Sequence, residues 1–194
     1  PLTRLARRGG GPDPDWDALR LDLYRRGRDH LLSAGYVQES MRMFRRADAP
    51  DHGPDDYACQ TDGMIGLGCG ARSYTRSLHY SFDYAVDARE VRAIIDDYVA
   101  GTVDDFRRAV VGHAMTEDES RRRHLLQSVL QAEGMPLADY RFRFGADPHE
   151  HFGTELGRWS GRGWLVADGG RLRLTESGLA YSDALGPDLF SPQV

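Results

Sequence analysis

Four glycines, Gly63, Gly66, Gly68 and Gly70, fall close together in the stretch DGMIGLGCGARSYT, residues 62–75. A glycine inside a strand loses the most backbone entropy on folding and packs no side chain. Repeated glycines after the apolar pair Met64 and Ile65 therefore predict a close backbone approach to a ligand, a cofactor or another strand. Gly66, Gly68 and Gly70 are the candidate backbone donors to a cofactor, with Gln60 beside them. Arg72, Ser73 and Tyr74 follow as candidate substrate contacts, and the Arg72 guanidinium suits a bidentate carboxylate contact. His79, in SLHYS, is the nearest histidine and a candidate for the same site. The competing reading of each is structural: a turn needed for strand packing, a hydrogen-bonded loop and a histidine held by a neighbour. No residue is assigned a catalytic role.

Other reactive residues carry less. Cys59 and Cys69 are the two cysteines, ten apart with no CxxC, which gives neither a four-cysteine zinc site nor a disulfide framework. Buried thiols in a reducing cytosol are the expectation. His149 and His151 lie two apart at a helix start, where their side chains diverge, so no metal site is expected there. Gln38, Ser40 and Arg42 alternate with Val37, Met41 and Met43, as on a strand whose polar side faces a cavity.

The elements that must position these residues follow from periodicity and caps. Residues 1–12 read as a loop, and the stretch PDPDWDALRLDLYRRGRDHLLSAGY, residues 12–36, as a helix with Trp16, Leu19, Leu23, Gly27, Leu31 and Ala34 on one stripe. Asp13 or Asp15 would cap it and Gly35 would end it. A strand is predicted over 36–44, a loop over 45–61, and a short buried strand at MIGLG. Asp87 with Glu90 opens a helix over 87–101, and Thr116 with Glu119 opens another over 116–134. Asp118–Arg122 and Glu119–Arg123 are expected as i,i+4 pairs. Asp147, Pro148 and Glu150 start a helix to about residue 160. Trp164–Asp168 and Arg171–Thr175 form a hairpin around Gly169-Gly170, and Thr175 caps a last helix, ESGLAYSDALG. Helix, helix, hairpin and helix is a winged-helix layout, with a domain boundary near 102–115.

The chain's 194 residues suffice for a sizeable core. Its net charge of −5 lacks the basic face of a nucleic-acid binder, although all 25 basic residues are Arg. No apolar run approaches the roughly 20 residues of a membrane helix, and no signal peptide is visible. The chain starts at Pro1, which suggests a processed product or part of something longer.

Taken in order, GYVQESMRMFRR, CQTDGMIGLGCGARSYT and GGRLRLTESG resemble the C-terminal half of the oxygen-independent coproporphyrinogen III oxidase-like radical SAM family, and PLTRLARR is similar to the segment after its fifth barrel strand. The match to SMRMFRR points to a less characterised branch rather than to the true oxidases. The resemblance implies an α/β fold: the C-terminal strands and helices of a partial (β/α) radical SAM barrel over residues 1–110, followed by a winged-helix-like α+β module over 111–194. It implies S-adenosylmethionine and a [4Fe–4S] cluster in the intact family. The CxxxCxxC loop that would hold the cluster is absent, so this chain alone is expected to hold neither and to be inactive. Its expected role is the wall and lid of a cofactor and substrate site. The missing barrel half or a second copy would be its partner, a small molecule its substrate and the cytoplasm its location. Met41, Arg42, Met43 and Phe44 stand where true oxidases have their polar strand. Tyr57, Ala58, Cys59 and Gln60 stand where haem-transfer relatives carry a His-Asn motif. Two alternatives remain: a winged-helix regulator or interaction module with an α/β sensor domain, and a non-catalytic tetrapyrrole (haem) binder.

Overall fold

A computed structural model describes residues 14–50, 58 and 61–192. Cys59, Gln60, Tyr57, Asp13 and the PLTRLARR segment lie outside the described residues, so the readings placed on them are not taken further. Contacts group the described residues into two units: unit 1 from 1–52 and 128–190, and unit 2 from 53–127 and 191–194. Unit 1 is discontinuous in sequence.

Unit 1 begins with α1 (Pro14–Ser33), which ends before Gly35 at φ +82. Its inward face is not the predicted stripe. Trp16, Leu19 and Leu23 are about half exposed, whereas Leu21 is buried and Tyr24, Arg28 and Leu31 lie beside it at helical spacing. Polar partners decide the facing: Gln38 donates to the Tyr24 hydroxyl at 2.8 Å, and Arg28 pairs with Glu176 at 2.5 Å and Asp29 at 2.7 Å. The strand predicted over 36–44 folds back on itself. β1 (Tyr36–Gln38) and β2 (Phe44–Arg46) form an antiparallel hairpin with Gln38 opposite Phe44. At its turn the Ser40 hydroxyl accepts from Met43 N–H at 3.2 Å, and Arg42 pairs with Asp183. Ser40 and Arg42 thus make structural contacts, while Gln38 also lines a cleft with Arg28, Leu32 and Thr175.

The rest of unit 1 is a three-stranded antiparallel sheet in the order β6 (Met135–Pro136), β8 (Arg171–Leu174), β7 (Leu165–Asp168), with helices packed on it. Gly169 and Gly170, at φ +56 and +75, make the two-residue β7–β8 turn in which both central residues need positive φ. α4 (Leu137–Phe144) was not anticipated; Pro136, just ahead of it, is its one sequence signal. α5 (Pro148–Gly161) starts with the predicted capping box. Asp147 accepts from His149 N–H at 3.0 Å and donates its own N–H to Glu150 at 2.8 Å. The bond from His149 N–H, with Arg141 alongside, lowers the Asp147 carboxyl to about 2. Trp159, Tyr140, Phe152, Leu156 and Leu172 are the buried core, each contributing about 1.5–3 kcal/mol. The last predicted helix is broken into α6 (Glu176–Ala180), a 3₁₀ turn and α7 (Leu185–Asp188).

Unit 2 holds the antiparallel sheet β3 (Arg72–Tyr74), β4 (Leu78–Ser81), β5 (Val111–Ala114). α2 (Ala88–Ala100) is capped by Asp87, and none of its residues is buried. α3 (Glu117–Val129) is capped by Thr116, whose hydroxyl accepts from Glu119 N–H at 3.1 Å. It ends five residues before the predicted Gly134, because Gln131 bridges to Ser40 and Ala132 N–H donates to the Glu39 carbonyl. Asp118–Arg122 forms as expected, at 2.6 Å. Glu119–Arg123 does not, since Arg123 is drawn to Tyr74 instead. The MIGLG segment is not a buried strand either: Ile65 is 62% and Leu67 91% exposed, and Met64 alone pairs with Tyr74. Mixed α/β is the fold class, as three open sheets. Every strand pair among the described residues is antiparallel.

Candidate functional site

The glycine stretch folds over β3, and Ser73 is the reason. Met64 and Tyr74 exchange both backbone bonds, at 2.8 and 2.9 Å. Two residues on, the Gly66 N–H donates to the Ser73 hydroxyl at 2.9 Å instead of to backbone. A Cβ at Gly66 would sit 2.5 Å from the Arg72 carbonyl oxygen. Of the partners that close backbone approach left open, Gly66 has the chain's own next strand. Ser73, 3% exposed, is part of that lock. Gly68, at φ +108, makes the turn, and neither Gly68 nor Gly70 has another atom within 4 Å of its missing Cβ.

Side chains alternate across a sheet, so the strand register sorts the remaining candidates by face. Arg72 lies opposite Ser81, Tyr74 opposite His79, and His79 in turn opposite His113. These share one face, and Ser73 and Tyr80 share the other. A cleft of about 390 Å³ opens on the first face, lined by Gly70, Arg72, His79, Ser81 and His113 with Cys69 at its edge. A second, of about 240 Å³, is lined by Gly66, Gly68, Ser73, Tyr98 and Phe106. The candidate glycines therefore divide: Gly70 lies with Arg72 and His79, and Gly66 and Gly68 belong to the opposite face.

Electrostatics distinguish the first cleft. Arg72 makes no hydrogen bond or ion pair among the described residues. Asp83, the acidic residue in the lining, accepts from Tyr84 N–H at 2.8 Å. The Arg123 guanidinium stacks 4.1 Å over the Tyr74 ring, and Tyr74 meets His79 edge to face at 5.7 Å. Burial, then Arg72, Arg123 and His113, lower the His79 pKa, so its imidazole is neutral at physiological pH. His113 Nε2 is buried without a hydrogen-bond partner. The sequence reading missed His113 because VVGHA was read as part of a domain boundary. The β-branched pair Val110-Val111 was the signal for a strand there.

Outside this sheet, the paired histidines have structural partners. His149 Nδ1 meets Asp147 at 2.9 Å and His151 Nδ1 meets the Tyr140 hydroxyl at 3.0 Å. A [4Fe–4S] cluster does not fit the donors present. The chain has two cysteines, and no group of three His, Cys, Asp or Glu among the described residues is placed to hold a metal.

Residues 115–181 match the family model of the HemN C-terminal domain. The chain is also similar in fold to coproporphyrinogen III oxidase (HemN) from Escherichia coli, described as a radical SAM enzyme, with a TM-score of 0.60 and 17% identity. That likeness covers 92% of this chain and 42% of the E. coli HemN chain. Among curated proteins no sequence matches. The chain spans less than half the length of the solved relative. No described helix is long and apolar enough to cross a membrane.

Proposed function

We propose that this chain forms the wall and lid of the cofactor and substrate site of a coproporphyrinogen oxidase-like radical SAM protein, without supplying the cluster. The observation that carries the reading is the HemN C-terminal domain match within a fold that follows E. coli HemN over 92% of the chain. In such a protein, S-adenosylmethionine bound at a [4Fe–4S] cluster supplies a 5′-deoxyadenosyl radical. The residues here would border that chemistry. Gly68 and Gly70 offer open backbone, and Arg72, His79 and Tyr74 offer side-chain contacts to a small substrate.

The partner would be the barrel portion that HemN has and this chain lacks, with a second copy as the alternative. The face of α2 supports that reading, since Val91, Ile95 and Val99 are exposed together, followed by Val103 and Val110. The α4–α5–hairpin arrangement we read as winged-helix-like, serving as a cytoplasmic lid rather than a DNA reader. Its α5 carries Glu150 and Glu155, and its Arg158 is taken by Asp188 at 2.6 Å. Anaerobic reconstitution with iron and sulfide tests the division of labour. The expected result is no stable [4Fe–4S] spectrum from this chain, and a stoichiometric cluster would overturn it.

A further inference from the structure

The face of β3–β4–β5 that carries Arg72 gathers three nitrogen groups and little to answer them. Arg72 is a guanidinium with no hydrogen bond or ion pair among the described residues, on the rim of a cleft. An exposed arginine alone would mean nothing. Here it lines the same cleft as two imidazoles placed opposite each other across β4 and β5; neither ring has a hydrogen bond among the described residues, and His113 Nε2 is buried. An unpartnered buried polar atom costs about 1–3 kcal/mol, which a native fold retains only when something offsets it.

Charge fixes what that something is. The chain as a whole carries −5, yet this cleft has Arg72 in its lining and Arg123 one ring away over Tyr74. The lining's own carboxylate, Asp83, bonds its neighbour's backbone. Arg72 with Arg123 outnumbers that one carboxylate, so an anion answers the Arg72 guanidinium where a neutral ligand would leave it unpaired. Val111, Phe82 and the rings of Tyr80 and Tyr84 line much of the rest, beside Ser81, so the ligand carries an apolar body behind its charge.

We propose that this cleft binds an organic oxyanion, a carboxylate or phosphate on an apolar or aromatic body, with Arg72 as its charged anchor and His79 and His113 as N–H donors. The proposal rests on reading unit 2 as a ligand-facing wall. It names the ligand's chemistry and adds His113, and it does not need the radical reaction.

Side-chain imidazole NMR on the full chain labelled with ¹⁵N-histidine tests it, with benzoate and phenyl phosphate as probes at constant ionic strength. The expected result is saturable shifts of the His79 and His113 nitrogens with at least one probe. Arg72→Gln should weaken that binding about tenfold or more, the size of one lost charged hydrogen bond. Saturation by benzoate alone assigns a carboxylate, and by phenyl phosphate alone a phosphate. Equal binding of the neutral benzamide would overturn the proposal, as would shifts unchanged in Arg72→Gln or no saturable shift with either probe. His79→Gln, with its imidazole nitrogens removed, provides a second variant should Arg72→Gln not fold. Because no cluster or S-adenosylmethionine is present, failure here leaves the wall-and-lid reading to its own reconstitution test.

Discussion

A single atom at Gly66 separates two meanings of a glycine-rich turn. Its amide is used by Ser73, and its missing Cβ by the Arg72 carbonyl 2.5 Å from where that Cβ would be. Gly66→Ala should therefore cost about 1–3 kcal/mol in urea unfolding. Gly70→Ala, with open space around it, should cost markedly less; equal costs would mean the turn is not locked as described. The histidine beside it gives a pH signature. His79 has a folded-state pKa below its usual 6.5, so the unfolded chain binds its proton first and stability falls as pH drops through about 6.5. Arg72, Arg123 and His113 face it with positive or titratable groups, and Tyr74 packs against it. His79→Gln should flatten that fall, measured as urea midpoints between neutral and mildly acidic pH. The sequence made Arg72, Ser73 and His79 visible as polar residues near glycines. It did not show that Ser73 points away from the other two, because facing depends on the β3–β4 register, which depends on residues far along the chain.

Caps and turns are the elements most legible in the sequence, because their chemistry is local. Asp147 with Glu150, Thr116 with Glu119 N–H, and Gly169-Gly170 each form the contact their spacing predicts. The failures are elements whose partners lie elsewhere. The 36–44 strand became a hairpin because Glu39 N–H and the Ser40 hydroxyl bond Met43, and α3 stopped early because Gln131 and Ala132 bond that hairpin's turn. In α1, the apolar stripe lost to a half-polar face because Tyr24 and Arg28 have fixed partners. At this scale a polar tie anchors the core of unit 1: Trp159 Nε1 donates to Asp188 at 2.8 Å, and Arg158 pairs with the same carboxylate. Trp159→Phe removes the donor and leaves a void, so unfolding by urea should show a loss of about 1–3 kcal/mol. A loss near zero would mean the tie is dispensable.

For the whole molecule, the resemblance carried by ordered motifs implied the mixed α/β fold that the structure has. The discontinuous unit was not readable, because nothing local in residues 14–50 says that they pack with 128–190. We propose a division of labour: residues 115–181 match the HemN C-terminal domain and the β3–β4–β5 cleft would take an anionic ligand, whereas this chain's two cysteines are fewer than the three that one cluster loop supplies. The direct measurement is 5′-deoxyadenosine formation from S-adenosylmethionine by the chain after anaerobic reconstitution and reduction. The account predicts none above a protein-free control, and turnover that tracks bound iron would contradict it.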